Sequence, residues 1–462
     1  MTRVTLRRGR LRRQEAAFVV ADPRFSRLVE SVEASAGQLD KVGLENRKWA
    51  YHKLKLPSEY RARAALSVRL LDQARDLQGD LMDAVDVEEI LVTVEDQGDV
   101  FNKVNVSTAI HRIARLATTK MPGVVPVDVN SVISDGRFAR LVTMAESTVG
   151  EMAIVSVSNV LWALARMHYP APASLVDALA SRAASTMDSA EPRHVSTVMW
   201  ALAVLGHEPR SKLLAATATI ATQRAEAFLA PDIVNALWAH ARWHRSVAGG
   251  AGAAETVAAL SAVALGNLPD FTPYQCANLA WSLAMLDAPL PAGALGRVAE
   301  RAASDPARLD DTALTHALWA VGVKGTEMDG NSGAFKTLLS EAAARAGERR
   351  IGRAGAAGVI WACGRLKATP RPGEADQLLR RVIEKGERGE MELEAQSLVH
   401  AVWGVSHMEG VRMSEADRES VLRHARRLTK DGYMSDAHAE TMTNAATGAG
   451  IDPRAMQQAL LA

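Results

Sequence analysis

VSNVLWALARM (Val157–Met167) decides how this chain is read, because the sequence writes it seven times. STVMWALAVLG (Ser196–Gly206), VNALWAHARWH (Val234–His244) and ANLAWSLAMLD (Ala277–Asp287) follow it. THALWAVGVKG (Thr315–Gly325), AGVIWACGRLK (Ala357–Lys367) and VHAVWGVSHME (Val399–Glu409) complete the series. The tryptophans stand at 162, 200, 238, 281, 319, 361 and 403, with spacings of 38, 38, 43, 38, 42 and 42. Self-similarity at this period marks a stack of supersecondary units, each able to bury its apolar face only against the next.

Each copy places an apolar residue before the Trp and small residues one and three positions after it, as in Ala163 and Ala165 or Gly404 and Ser406. Good helix formers dominate and no proline interrupts, so the stretch predicts a helix. It is apolar nearly all round, which predicts a buried helix with its Trp in the core between layers and its small residues admitting close neighbours. Upstream, each unit carries an amphipathic segment such as SLVDALASRAASTM (Ser174–Met187), with Pro or Gly punctuating the joins. Helix, turn, helix, turn at about forty residues a cycle predicts an all-α fold, an α-solenoid of about ten helix-turn-helix repeats of 38–43 residues.

The copies extend beyond the tryptophans. Asp22–Val29 and Asp135–Val142 are identical at six of eight positions, and each Phe precedes a Trp (Trp49, Trp162) by 24 residues. VSTAIHRIARL (Val106–Leu116) puts His111 in the Trp place, and Thr443–Gly448 weakly puts Thr447 there. The organisation expected is a basic arm at 1–13, divergent repeats at 14–130, regular repeats at 131–410 and a capping repeat at 411–462. Gly249–Gly252 and Gly330–Gly333 read as loops that lengthen two repeats.

Charge is nearly balanced, at a formal net +1, but unevenly spread. Arg3, Arg7, Arg8, Arg10, Arg12 and Arg13 precede the first acid, Glu15. Such a start suits a basic arm lying along phosphates, or an organellar targeting segment. Residues 72–99 hold ten acids against Arg75 alone, a solvated face or a surface for a basic protein. A basic belt comprises Arg349, Arg350 and Arg353, then Arg380, Arg381 and Lys385, then Arg423, Arg426, Arg427 and Lys430. Arg349, Arg350, Arg353, Arg423, Arg426 and Arg427 are the expected phosphate contacts, with a solvated face holding i, i+4 partners such as Glu419 and Arg423 as the other reading.

Little else carries chemistry. Cys276 and Cys363 fall inside repeat helices and read as buried structural thiols. No apolar run is long enough to cross a bilayer, so no membrane is expected. His240 and His244 share a helix face but lack a third ligand, so no metal and no cofactor is expected. Without a nucleophile–base arrangement, an acid pair or a phosphate-cradling loop, neither an enzyme nor a small-molecule substrate is expected.

Two columns beside the Trp remain. Three residues before it stand Asn46, Thr108, Asn159, Thr197, Asn235, Asn278, His316, Gly358, His400 and Asn444, polar groups that need partners if buried. Hydrogen bonds to the backbone of the adjacent layer are expected, with contact to ligand on the inner face as the other reading. Six and seven residues before it the helix start varies, including Arg193, His194, Tyr274 and Gln275. Fixed packing beside a variable edge is what base-by-base RNA reading by helical repeats requires.

Phe271-Thr-Pro-Tyr-Gln-Cys-Ala-Asn-Leu-Ala-Trp-Ser-Leu-Ala284 resembles the signature of octotricopeptide repeats, helical-pair repeats of organellar RNA-binding proteins to which FAST-kinase-like repeats are related. The resemblance is strongest over 138–410, while lengths drift to 42 and 43 and Pro opens the Trp helix only at Pro231, Pro273 or nearby. It implies RNA binding in mitochondria, or alternatively chloroplasts, in transcript stabilisation or ribosome architecture. The partners it implies are rRNA or an organellar transcript and other proteins of a ribonucleoprotein. No C-terminal nuclease-like (RAP) domain is recognisable, which points to binding rather than cleavage.

Overall fold

The computed structural model describes residues 19–20, 22–119, 127–244, 252–286, 290–324, 330–384 and 393–461. Among them are 23 α-helices joined by turns and short 3-10 segments, and no strand. The chain divides into two compact units, Met1–Tyr169 and Pro170–Ala462. The division follows the first Trp helix, at Tyr169-Pro170-Ala171-Pro172. Arg3 to Arg13 lie outside the described residues.

The first unit contains α1 (Pro23–Ala34), α2 (Lys41–Lys53), α3 (Ser58–Asp83), α4 (Val87–Gln97) and α5 (Lys103–Thr118). They are followed by α6 (Val129–Ile133), α7 (Gly136–Thr148) and α8 (Ile154–Arg166). The duplicated Asp-x-Arg-Phe motif is a duplicated helix start. Asp22 accepts from Arg24 N–H at 2.8 Å and Asp135 from Arg137 N–H at 2.7 Å. Each carboxylate also pairs with its Arg, at 2.7 and 2.8 Å. An Asp at the N-cap satisfies a donor that the first helical turn leaves unpaired. α5 packs on α8, and His111 meets Trp162 with ring centroids 4.9 Å apart.

The second unit alternates outer and inner helices. The inner ones, which carry the Trp motif, are α10 (Pro192–Val204), α12 (Ala230–Arg242), α14 (Pro273–Met285), α16 (Asp311–Lys324), α18 (Arg353–Arg365), α20 (Ala395–His407) and α22 (Asp436–Ala445). Each packs on the next through the row. The outer ones are α9 (Ala173–Thr186), α11 (Ser211–Gln223), α13 (Ala253–Gly266), α15 (Ala294–Ala303), α17 (Gly333–Gly347), α19 (Glu374–Ile383), α21 (Glu415–Lys430) and α23 (Pro453–Leu460). The core lies between the rows, where Phe335, Leu338, Val359 and Ile360 are fully buried.

The small residues flanking each Trp set the inner-helix spacing. A Cβ added to Gly322, three after its Trp, would stand 2.7 Å from the Ala362 Cβ, one after the next Trp. Likewise, one on Gly364 would stand 2.7 Å from the Gly404 Cα, and one on Gly448 2.8 Å from Ser406 O. Gly448 follows Thr447, so the weak terminal copy packs in the same phase.

A second recurring device is an arginine at or near the end of an outer helix. It donates to the carbonyl two residues before the preceding inner helix. Arg224 reaches Ala190 O at 3.0 Å, Arg301 Phe271 O at 3.0 Å, Arg345 Leu309 O at 2.8 Å and Arg381 Ile351 O at 2.7 Å. These carbonyls sit at turns where no helical donor can reach them, and a charged donor there is stronger than a neutral one.

Candidate functional site

The tryptophans are not in the core. Trp200, Trp238, Trp281, Trp319, Trp361 and Trp403 are each half-buried, whereas the residues before and after them are fully enclosed. Neighbouring layers bury the flanking small and aliphatic positions, and the Trp falls on the one side of the inner helix that no outer helix covers. It shares that side with the positions seven before, three before and four after, the i, i+4, i+7, i+11 stripe of a single helical face.

In the second unit this stripe is aromatic. Ring centroids of Trp238 and Trp281 lie 6.5 Å apart, those of Trp319 and Trp361 6.4 Å, and those of Trp361 and Trp403 6.4 Å. The column three before the Trp joins the same ladder. His316 stacks on Trp281 at 5.0 Å with a 20° interplanar angle, and His400 lies 5.7 Å from Trp361. Burial against these rings lowers the basicity of both histidines. Asn278 Nδ2 donates to Tyr274 O of its own helix at 3.2 Å, whereas Thr108 Oγ1 in the same column accepts from Gln78 Nε2 of α3 at 2.9 Å. Four after the Trp, Arg242 lies over the Trp238 ring at 5.8 Å and His407 stacks on Trp403 at 4.1 Å.

Charge on the stripe is one-signed. From α10 to α20, none of its four positions carries a carboxylate, while Arg193, Arg242 and Arg365 stand exposed on it. Arg242 and Arg365 have no acid partner among the described residues; Arg193 pairs with Glu191 at 2.9 Å.

The variable helix start divides into two columns with different roles. Seven before the Trp, Arg193 and Tyr274 are exposed as expected. The neighbouring column caps helices, and the contact expected of His194 there is corrected. His194 is buried, and its Nδ1 accepts from Glu191 N–H at 3.2 Å. Gln275 Oε1 accepts from Thr272 N–H at 2.8 Å. Both sit at N3, where a side chain reaching back satisfies the N-cap amide. Burial makes His194 less basic.

The basic belt divides likewise. Arg349 pairs with Glu384 at 2.6 Å and Arg350 with Asp311 at 3.4 Å. Arg353 is buried and donates to Glu384 O, and Arg381 is buried on Ile351 O. As a phosphate contact Arg353 is thus corrected: its guanidinium holds a turn. Arg423, Arg426 and Arg427 are exposed on α21, with no acid partner among the described residues. In the first unit, the acidic run is exposed except at Asp72, and Arg137 and Arg140 bind part of it, meeting Glu88 at 2.7 Å and Asp99 at 2.6 Å.

Where the ladder passes from Trp281 to Trp319 the surface opens into a cavity of about 620 Å³. The stacked pair Trp281–His316 and Trp319 line it, together with Asp311, Arg350 and Gly358. Arg345 holds the Asp311 carboxylate at 2.9 Å.

Cys276 and Cys363 are free and buried, and burial pushes the Cys276 thiol up to about 12. Buried thiols of this kind are poor nucleophiles. His240 is buried as well, pushed down to about 4, and its ring meets Trp243 edge-on at 6.2 Å. No group of three metal-ligating side chains occurs among the described residues, and no helix there is long and apolar enough to cross a membrane. Set beside known proteins, the chain matches no protein-family model and no curated protein.

Proposed function

We propose that this chain is a non-enzymatic, RNA-binding α-solenoid of about ten repeats of the octotricopeptide type. In this reading it acts in an organelle, the mitochondrion before the chloroplast, where it holds rRNA or a transcript within a ribonucleoprotein such as the mitochondrial ribosome. The supporting observation is the stripe of half-exposed indoles and imidazoles from α10 to α20, free of carboxylates and bearing Arg193, Arg242 and Arg365. Single-stranded nucleic acid is bound by this combination, because every base has a face to stack and every phosphate a charge to neutralise. Exposed Arg423, Arg426 and Arg427, and the arginines of residues 3–13, supply further positive charge.

Binding of the full chain to fluorescein-labelled single-stranded RNA, measured across salt, tests this. The logarithm of the affinity falls with the logarithm of salt by about 0.7 per phosphate neutralised. Replacing Arg242 and Arg365 with Gln lowers both the affinity and that slope. Salt-independent binding, or none, refutes the proposal, and a tagged chain found outside mitochondria and chloroplasts refutes its organellar part. A protein-only scaffold is the second reading, favoured by the exposed acids of α3 and α4. It predicts capture of a basic protein in the absence of RNA.

A further inference from the structure

The aromatic stripe has a vacancy. Inner helices α14 and α16 carry Asn278 and His316 three before the Trp, with Tyr274 and Thr312 seven before it. In α18 those two positions are Gly358 and Ala354. A Cβ on Gly358 would meet only Trp319 Cδ1, at 3.9 Å, so the glycine relieves no clash and leaves open space. Gly358 and Ala354 line the cavity of about 620 Å³ described above. That size falls in the roughly 300–1,000 Å³ range of ligand sites.

Its chemistry is specific. Indole and imidazole faces are offered by Trp281, His316 and Trp319. The carboxylate of Asp311 is fixed by Arg345 at 2.9 Å and Arg350 at 3.4 Å. Arg350 is further balanced by Glu348 at 3.6 Å, so the charges here are already compensated and a phosphate gains little. A flat, neutral ring with N–H donors on one edge fits better.

Resting on the RNA-binding reading, we infer that this cavity receives one unpaired guanine of a single-stranded RNA. The base stacks against the indoles, and its Watson–Crick edge turns to Asp311. Guanine alone among the four bases presents two adjacent N–H donors on that edge, the geometry a carboxylate accepts. Sequence-specific RNA recognition works in this way, on splayed-out bases stacked by aromatic side chains and read along their edges.

The test uses the full chain and three probes: an all-uridine RNA of ten nucleotides, the same strand with one central G, A or C, and free GMP. Labelled-strand anisotropy and tryptophan quenching are read together. One guanine is expected to tighten binding roughly tenfold over all-uridine, the scale of one added stacked base. Gly358→Asn, which places in α18 the residue found in α12 and α14, is expected to abolish that preference. Its Cβ enters open space, and a circular-dichroism melt confirms that it folds. Trp319→Leu is expected to lose the preference as well. A guanine preference that survives Gly358→Asn, or that the parent lacks, overturns this inference while salt-dependent RNA binding leaves the broader reading standing. Failure to bind any strand overturns both. Binding of free GMP as tightly as the guanine strand overturns the strand as its source.

Discussion

Adding the same methyl group to two inner-helix glycines has opposite consequences. Gly358→Ala puts a Cβ into space where the nearest atom is 3.9 Å away, and gains the intrinsic helix preference of alanine, about 1 kcal/mol. Gly404→Ala gains the same propensity but drives its Cβ against the backbone of Ile360, with the carbonyl carbon 2.6 Å away. Restoring normal carbon–carbon contact means parting α18 from α20 by about 1 Å. Val359, Ile360, Val402 and Val405, all buried, face that loss of contact. Overpacking of this kind costs about 1–3 kcal/mol, so Gly404→Ala emerges destabilised and the two variants separate by about 2 kcal/mol. Urea unfolding followed by circular dichroism measures this, with whole curves compared because stacked repeats unfold in part. If Gly404→Ala raises the midpoint as Gly358→Ala does, the inner row is not held at its spacing by small residues, and the packing argument fails.

Other perturbations reach different parts of the molecule. Arg345→Met removes a guanidinium 2 % exposed that serves Leu309 O, Asp311 and Glu341, leaving the Leu309 carbonyl without its donor while Asp311 keeps Arg350. A loss of about 1–3 kcal/mol is expected in chemical denaturation, and no loss removes the arginine's role at the turn. His240 is neutral when folded and pushed down to about 4, so the unfolded chain takes up its proton first as pH falls. Its contribution is complete above pH 6.5 and is lost between pH 6.5 and about 4, roughly 3 kcal/mol at most. His240→Gln flattens that part of the stability–pH curve, and an unchanged curve contradicts the assignment. Replacing Arg423, Arg426 and Arg427 with Gln reduces the salt slope of RNA binding by about 0.7 for each arginine that meets a phosphate. An unchanged slope places the RNA elsewhere.

Much of the fold was legible in the sequence because the repeat is written in packing residues. Ala163-type positions must be small wherever helices touch, and the Asp-Pro-Arg-Phe and Asp-Gly-Arg-Phe copies declare a shared helix start. The orientation of the Trp was not legible, since a helix apolar on every side has no periodicity to say which side its neighbours leave open. The stripe through Arg193, Thr197, Trp200 and Val204 becomes visible only once the outer helices are in place. Likewise, no local pattern separates Arg381, whose partner Ile351 O lies 30 positions away, from exposed Arg423. The capping roles of His194 and Gln275 were hidden for a different reason: variation at a helix start reflects the many side chains able to satisfy one amide, although their spacing of three from Glu191 and Thr272 is a signal that finds them.

A repeated track of rings has a cost in information, because a ligand of matching rise docks nearly as well one step along. The gap at Gly358 breaks that equivalence with the loss of one side chain. In the RNA-binding proposal it would supply a zero mark from which every other rung is counted, so that a strand held there would be indexed by one nucleotide and not by its whole length.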